Sequence, residues 1–322
     1  QNSNLQYVTV EKAGSTTSGC GSGNPQYSVF VESSSITFKN STISGGNGYR
    51  KLYLKNSNST IDVLTASGAS NDTDSAAVYI DGGSPTITNS TLANNTPGIG
   101  IWNSSSSGTP TISNNTFTNN KYPVRLTGGS ATLSGNSASG NTYDAILVEG
   151  SASTNITWTK DTLPYLINTF TVNNGKTLTI AAGTTVKFVT TSSELTVNGG
   201  LVTQGTAEQR VTFEPLILSS SWKRINLDTG STADLQYTKI ERGGNTYGQG
   251  ALYVKSSTVE ISNVEIKNSL NNAIYGFDAA ISGSNLTLTL ADGTNGFLIQ
   301  TGGCPNITGV TKTGGDWGSC TF

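Results

Sequence analysis

The segment beginning at Pro85, PTITNSTLANN, returns from Pro110 as PTISNNTFTNN and from Ala131 as ATLSGNSASGN. A chain written in such copies folds as a stack of similar coils, because one copy is too small to bury its own apolar face. The aliphatic residue in the third place (Ile87, Ile112, Leu133) and a second apolar residue five places on (Leu92, Phe117, Ala138) sit among Asn, Gly, Ser and Thr. Each copy therefore offers small inward patches separated by turns, and stacking joins the patches into one dry column.

The same frame reaches beyond the three clearest copies. Phe38, Asn40 and Ile43 in ITFKNSTIS, and Ile261, Asn263 and Ile266 in VEISNVEIKN, take the places of Ile87, Asn89 and Leu92. Apolar residues alternate with period two in short runs such as Val78-Tyr79-Ile80, Val124-Arg125-Leu126 and Leu252-Tyr253-Val254, and no helical period is sustained. Glycine pairs at Gly82-Gly83, Gly128-Gly129 and Gly199-Gly200 suit corners that require positive φ. The expected fold is all-β, a right-handed parallel β-helix of about eleven to thirteen coils, each of about 21 to 25 residues with three short strands. Residues 1–35 read as an N-terminal lead-in with strands at Tyr7 to Val10 and Tyr27 to Val31, residues 36–279 as coils, and residues 280–322 as closing rungs and a cap. The whole, 1–322, reads as a single domain with a change of texture near residue 160. Asn40, Asn89, Asn114 and Asn263, in register, are expected to point inward as a stacked amide ladder.

Only 12% of the residues are charged and the net charge is −2, so the surface must be largely Ser, Thr and Asn. That argues against nucleic acid or an anionic membrane as partner. No run of eighteen apolar residues is present, which argues against membrane insertion. The absence of Met and a first residue of Gln fit a chain whose leader has been removed, and a secreted or cell-surface location is expected. Ten Asn-x-Ser/Thr sequons occur, several of them at the asparagines assigned to the inward ladder, where no glycan could be attached.

Three cysteines leave an odd one. Cys304 and Cys320 bracket the Gly-rich loop CPNITGVTKTGGDWGSC, where a disulfide would tie down the C-terminal end and hold Trp317 against the last rung. Cys20, in GSTTSGCGSGNP, is then either free or the true partner of one of them. With no histidine and no Cys-x-x-Cys, zinc has almost nothing to bind.

From Thr177 the chain reads TLTIAAGTTVKF, then SELTVNGGLVTQGTAEQRVTFEP and, after a short insertion, SSSWKRINL. This resembles a stretch of about 50 residues common in large secreted bacterial surface proteins with β-helix repeats. The resemblance implies the fold and a cell-surface setting, and it carries no catalytic residues. In size and architecture the chain also resembles the binding domain of tāpirins, cellulose-binding surface adhesins of extreme thermophiles.

Many β-helices cleave polysaccharides, so that chemistry has to be weighed. Inverting hydrolases of this shape show Asn-x-Asp, Asp-Asp, Gly-His-Gly and Arg-x-Lys elements, and this chain has neither histidine nor adjacent aspartates. A lyase needs an acidic cluster holding calcium, with Arg or Lys as base. The nearest approach is Asp72, Asp74 and Asp81, with Asp62 one coil earlier. An Asp-Thr-Asp in the loop GASNDTDSA more often makes a solvated turn, so no cofactor is expected beyond that weak candidate for calcium. No catalytic residue can be named.

Binding has a better pattern. If Leu54, Ile80, Leu126 and Val148 point inward, period two sends Tyr53, Tyr79, Arg125 and Leu147 outward on one face, with Trp102 beside them. A second row contains Tyr253 and Tyr275 after Asn226. A flat row of rings could stack on sugar faces while neutral amides and hydroxyls bond sugar hydroxyls. The sequence therefore points to a non-catalytic extracellular adhesin binding an insoluble plant-type polysaccharide such as cellulose. A structural surface or filament subunit that self-associates is the alternative, followed by a polysaccharide lyase.

Overall fold

Alternating apolar and hydroxyl residues give strands of three to ten residues, all joined in parallel ladders. The computed structural model describes residues 3–13, 27–46, 48–246 and 249–322. Its contacts divide the chain into two compact units, one made of residues up to Val148 with Asp161–Pro164, the other of Glu149–Lys160 with Tyr165–Phe322. Both are built of right-handed parallel β-helical coils, as the handedness of parallel crossovers requires. Among the described residues no helix is long and apolar enough to cross a membrane.

In the first unit each coil places one strand on each of three sides. One core column runs Phe38, Ile61, Ile87, Ile112, Leu133, and a second runs Ile43, Ala66, Leu92, Phe117, Ala138. A third runs Leu52, Val78, Ile101, Val124. Apart from Ala138, every member is at most 1% exposed. The repeat frame read from the sequence is therefore the frame of the core. Coil steps are unequal, 26, 25 and 21 residues at the successive ladder positions Leu64, Ser90, Asn115 and Asn136.

The amide ladder exists, but one residue later than expected. Asn89 and Asn114 adopt φ of 52° and 56° at the bend between two strands and are exposed. Asn40 and Asn263, at φ of 49° and 56°, take the same role. A left-handed residue turns the chain, and the residue after it is the one that faces inward. Asparagine tolerates that conformation better than other side chains. The inward amides are Asn115 and Asn136 at one bend and Asn95 and Asn120 at the next, none more than 1% exposed. Asn115 Nδ2 donates to Ile87 O at 3.0 Å and to Asn136 Oδ1 at 3.1 Å, while its Oδ1 accepts from Ser90 N at 3.0 Å. Asn95 donates to Asn120 Oδ1 at 2.8 Å, and Asn120 to Asn141 Oδ1 at 2.9 Å. These bonds satisfy backbone groups that a sharp corner leaves without ladder partners. The sequons at Asn40, Asn89, Asn94, Asn114 and Asn285 consequently lie on the exposed bend rather than inside.

Lys51 is fully buried in this unit, and its Nζ donates to Gly45 O at 2.7 Å and Gly46 O at 3.2 Å. Burial lowers its pKa. The lead-in forms two strands rather than the single one expected, Ser3–Gln6 and Thr9–Glu11, because Tyr7 takes φ of 56° between them. The strand expected at Tyr27 to Val31 spans Tyr27–Glu32. Cys20 lies outside the described residues.

The second unit keeps the coil and changes its filling. Phe170, Leu195, Ile225, Leu252, Ile274 and Phe297 form one column, and Val186, Phe213, Ile240, Ile266 and Leu288 another. Trp222, from the Trp-x-x-Ile stretch, is fully buried on Phe188, with ring centroids 3.7 Å apart and planes 4° apart, and its indole N–H donates to Glu241 O at 2.7 Å. At the C-terminal end Cys304 and Cys320 are joined, with Cα atoms 5.7 Å apart. Phe322 packs on Phe297 at 4.9 Å and meets Trp317 at 5.9 Å, so it is Phe322 that covers the last core ring. Trp317 itself lies in Asp316–Gly318, a short strand paired with Asn295–Thr301.

Candidate functional site

The outward residues on the third side of the first unit fall in strict register. Strand pairing places Phe30, Tyr53, Tyr79, Trp102 and Arg125 one above another. Leu54, Ile80, Leu126 and Val148 are buried to 0%, so the assigned inward set is correct. The expected row is thus present, with Tyr27 and Phe30 added at its N-terminal end.

Its rings do not form a flat platform. Tyr53 and Tyr79 meet at 79° with centroids 5.1 Å apart, and Tyr79 and Trp102 at 84° and 5.1 Å. An edge-to-face meeting is one of the two arrangements that satisfy the ring quadrupoles. Tyr53 is only 7% exposed, closed in by Tyr27, Phe30 and Tyr79. Its hydroxyl donates to Asp81 Oδ2 at 2.9 Å, and burial, reinforced by that carboxylate, raises its pKa far above the usual tyrosine value. Tyr53 is a footing for the row rather than a contact surface. Leu147, also assigned outward, is likewise only 7% exposed.

Two arginines complete the ridge. Arg50 lies 3.6 Å from the Tyr79 ring centre and 5.4 Å from that of Tyr53, while Arg125 lies 4.1 Å from Trp102 and pairs with Asp74 Oδ1 at 2.9 Å. Trp102 Nε1 donates to Thr127 Oγ1 at 3.3 Å. What remains half-exposed is a rigid line of Tyr79, Trp102 and Arg125. Arg50 was not among the sequence candidates; its place three residues before Tyr53 is the one signal that could have found it.

The second row, Asn226, Tyr253 and Tyr275, is also in register and belongs to the second unit. Tyr253 and Tyr275 stack on each other at 4.8 Å with planes 6° apart, and Arg224 covers Tyr253 at 4.3 Å. Burial raises the Tyr275 pKa, with the adjoining Tyr253 adding to the effect. Glu194 fixes Arg224 through its Nε at 2.7 Å and also binds Lys223 Nζ at 2.5 Å, while Gln249 accepts from Arg224 Nη1. Here the tyrosine faces serve each other.

The acidic candidates are drawn into local bonds. Asp72 Oδ1 accepts from Asp74 N at 2.9 Å and Ser75 Oγ at 3.1 Å, Asp74 pairs with Arg125, and Asp81 accepts from Tyr53. Asp62 accepts from Asn89 Nδ2 at 2.8 Å and Thr88 Oγ1 at 3.0 Å, and lies 3.5 Å from Lys39. Hydrogen bonding, from Asn89 above all, lowers its pKa. Among the described residues no three His, Cys, Asp or Glu side chains come together as a metal cluster.

Residues 6–163 match the family model described as a right handed beta helix region. No curated protein and no solved structure matches the chain.

Proposed function

We propose that the chain is a non-catalytic extracellular adhesin domain that holds an insoluble plant-type polysaccharide, cellulose foremost, along the ridge of Tyr79, Trp102 and Arg125. The β-helix is compatible with polysaccharide-related and adhesin roles, and the observation that carries this reading is the register of the row on rigid strands. A long polymer is held by many weak collinear contacts, and rings locked by their neighbours lose little entropy on binding. Because neighbouring rings meet at nearly right angles, the sugar meets an uneven ridge rather than a flat platform, with the Arg50 and Arg125 guanidinium groups against it. Tyr253 and Tyr275 offer a second, shorter ridge. The Cys304–Cys320 disulfide fits an oxidising location outside the cell, and the lack of histidine and of adjacent aspartates supports binding without cleavage.

Adsorption to microcrystalline cellulose, xylan and pectin tests this reading. A Tyr79→Ala, Trp102→Ala variant, which leaves the Tyr53 footing in place, should bind cellulose about tenfold more weakly, as the loss of two ring contacts worth about 0.5–1.5 kcal/mol each implies. If the unaltered protein adsorbs to none of these polymers and instead self-associates, it is a structural surface or filament subunit. Unsaturated sugars or new reducing ends in the supernatant would make it a lyase or hydrolase.

A further inference from the structure

A different side of the first unit carries a regularity that the polysaccharide reading does not use. After each left-handed bend comes a three-residue stretch whose middle residue faces the core and whose flanks face out. In register, these flanks are Thr42 and Ser44, Thr65 and Ser67, Thr91 and Ala93, Thr116 and Thr118, and Ser137 and Ser139. Nine of these ten positions are hydroxyls and the tenth is a methyl. All ten are exposed or half-exposed. Coils repeat at about 4.8 Å, and flanking residues of one strand lie roughly 6.7 Å apart. The side is therefore a two-file lattice of hydroxyl and methyl groups, five coils long, with no charge in it.

The coil geometry does not impose that composition. In the second unit the equivalent bends are Tyr237 and Asn263, also at positive φ. The outward pair after Tyr237 is Lys239 and Glu241, and the pair after Asn263 is Glu265 and Lys267. Each pair forms an ion pair, at 2.5 Å and 3.5 Å. The slots accept charge readily, yet five successive coils of the first unit fill them with Thr, Ser and Ala, and the charge of Glu11 stands at the N-terminal edge, in register with Ser44.

We propose that this side is an ice-binding surface, its partner the ordered water of a growing ice crystal. A neutral, repeating lattice is complementary to a neutral, repeating partner, whereas charged side chains hold their own disordered hydration and would oppose it. Threonine supplies both parts of such a contact, a hydroxyl that takes a place in the water network and a methyl that is shielded when the two surfaces meet. Rigidity comes from directly beneath, where Asn115 and Asn136 at one bend and Asn95 and Asn120 at the next bond to each other across the coils that carry Thr91–Ala93, Thr116–Thr118 and Ser137–Ser139. A sugar chain is the weaker candidate for this side because the ten positions include no aromatic ring to stack on it.

The test uses the full chain in two assays: partitioning into slowly grown ice, and the gap between melting and freezing points of a single crystal. The unaltered protein should be enriched in the ice fraction and open a measurable gap. Thr91→Tyr with Thr116→Tyr, at exposed positions in the middle of the lattice, should abolish both effects while the melting curve followed by circular dichroism stays put. Thr65→Val, which keeps the shape and removes one hydroxyl, should narrow the gap without closing it. Exclusion of the unaltered protein from ice overturns the proposal, as does full ice activity in the double tyrosine variant. Loss of cellulose adsorption in that variant, with ice activity intact, would also overturn it and assign the lattice to polysaccharide. The Tyr79→Ala, Trp102→Ala variant should retain full ice activity, so failure of the ridge reading and failure of the lattice reading are distinguishable.

Discussion

The two units solve one geometric problem with different mixtures of polar and apolar filling. Where the chain bends between strands, the first unit turns on Asn89 and Asn114 and fills the inside of the bend with hydrogen-bonded amides and hydroxyls. The second turns on Tyr237, Asn263 and Asn285 and fills the same place with Thr238, Val264 and Leu286, all buried. Outside the bend the contrast reverses in part: hydroxyls fill five coils of the first unit, whereas in the second ion pairs follow Tyr237 and Asn263 and the hydroxyls of Thr287 and Thr289 follow Asn285. Large rings are more numerous in the second core, where Trp158, Tyr165, Phe170, Phe188, Phe213 and Trp222 are buried, against Phe38 and Phe117 in the columns of the first. A coil of this kind is specified by where the left-handed residue falls and by the apolar column, so the bend can be polar inside and neutral outside, or the converse.

The severest test of that view is a charge in the shared part. Ile112→Asp places an unpaired carboxylate in a column that admits no water, and cooperative unfolding of the first unit should be lost or its midpoint sharply lowered. A variant that melts like the unaltered protein would show that the column does not organise the coil. Next in size are exchanges of bend chemistry. Asn115→Val strands Ser90 N and Ile87 O, and Val264→Asn buries an amide beside the apolar Leu286; each should cost about 1–3 kcal/mol per stranded group in denaturant titrations. If either exchange is neutral, the two fillings are interchangeable and the contrast has no energetic content. The smallest effect belongs to the outer slots. Lys239→Thr with Glu241→Thr removes a half-exposed ion pair and should change stability by less than about 1 kcal/mol, because such pairs are screened by water. A larger loss would mean that the second unit depends on surface charge.

Much of this was legible in the sequence. Ile87, Ile112 and Leu133 recur at one place in aligned copies, and that recurrence is the core column itself. The Cys304–Cys320 pair followed from its position around a terminal loop. The amide ladder was displaced by one residue, because in Asn114-Asn115 and Asn119-Asn120 the two side chains are identical and only the backbone conformation decides which turns inward. The aromatic row was readable as a register, since alternation fixes which side a residue faces. Ring orientation was not readable, because the tilt of Tyr79 depends on Arg50, Tyr53 and Trp102 together.

The unequal coil steps have a consequence for how such a protein can change. Between Ile99–Asn103 and Thr111–Ser113 the chain spends residues 104–110, whereas between Val124–Thr127 and Thr132–Ser134 it needs only 128–131. The bends at Asn114-Asn115 and at Gly135-Asn136 keep two residues in both coils, bound to the inner ladder. The corner before the third side varies as well, with residues 68–75 in one coil and 94–98 in the next, so length variation is kept out of the asparagine bend and the two other corners are the natural grafting points. New loops inserted there would be carried on an unaltered frame, with both the aromatic ridge and the hydroxyl lattice left in register.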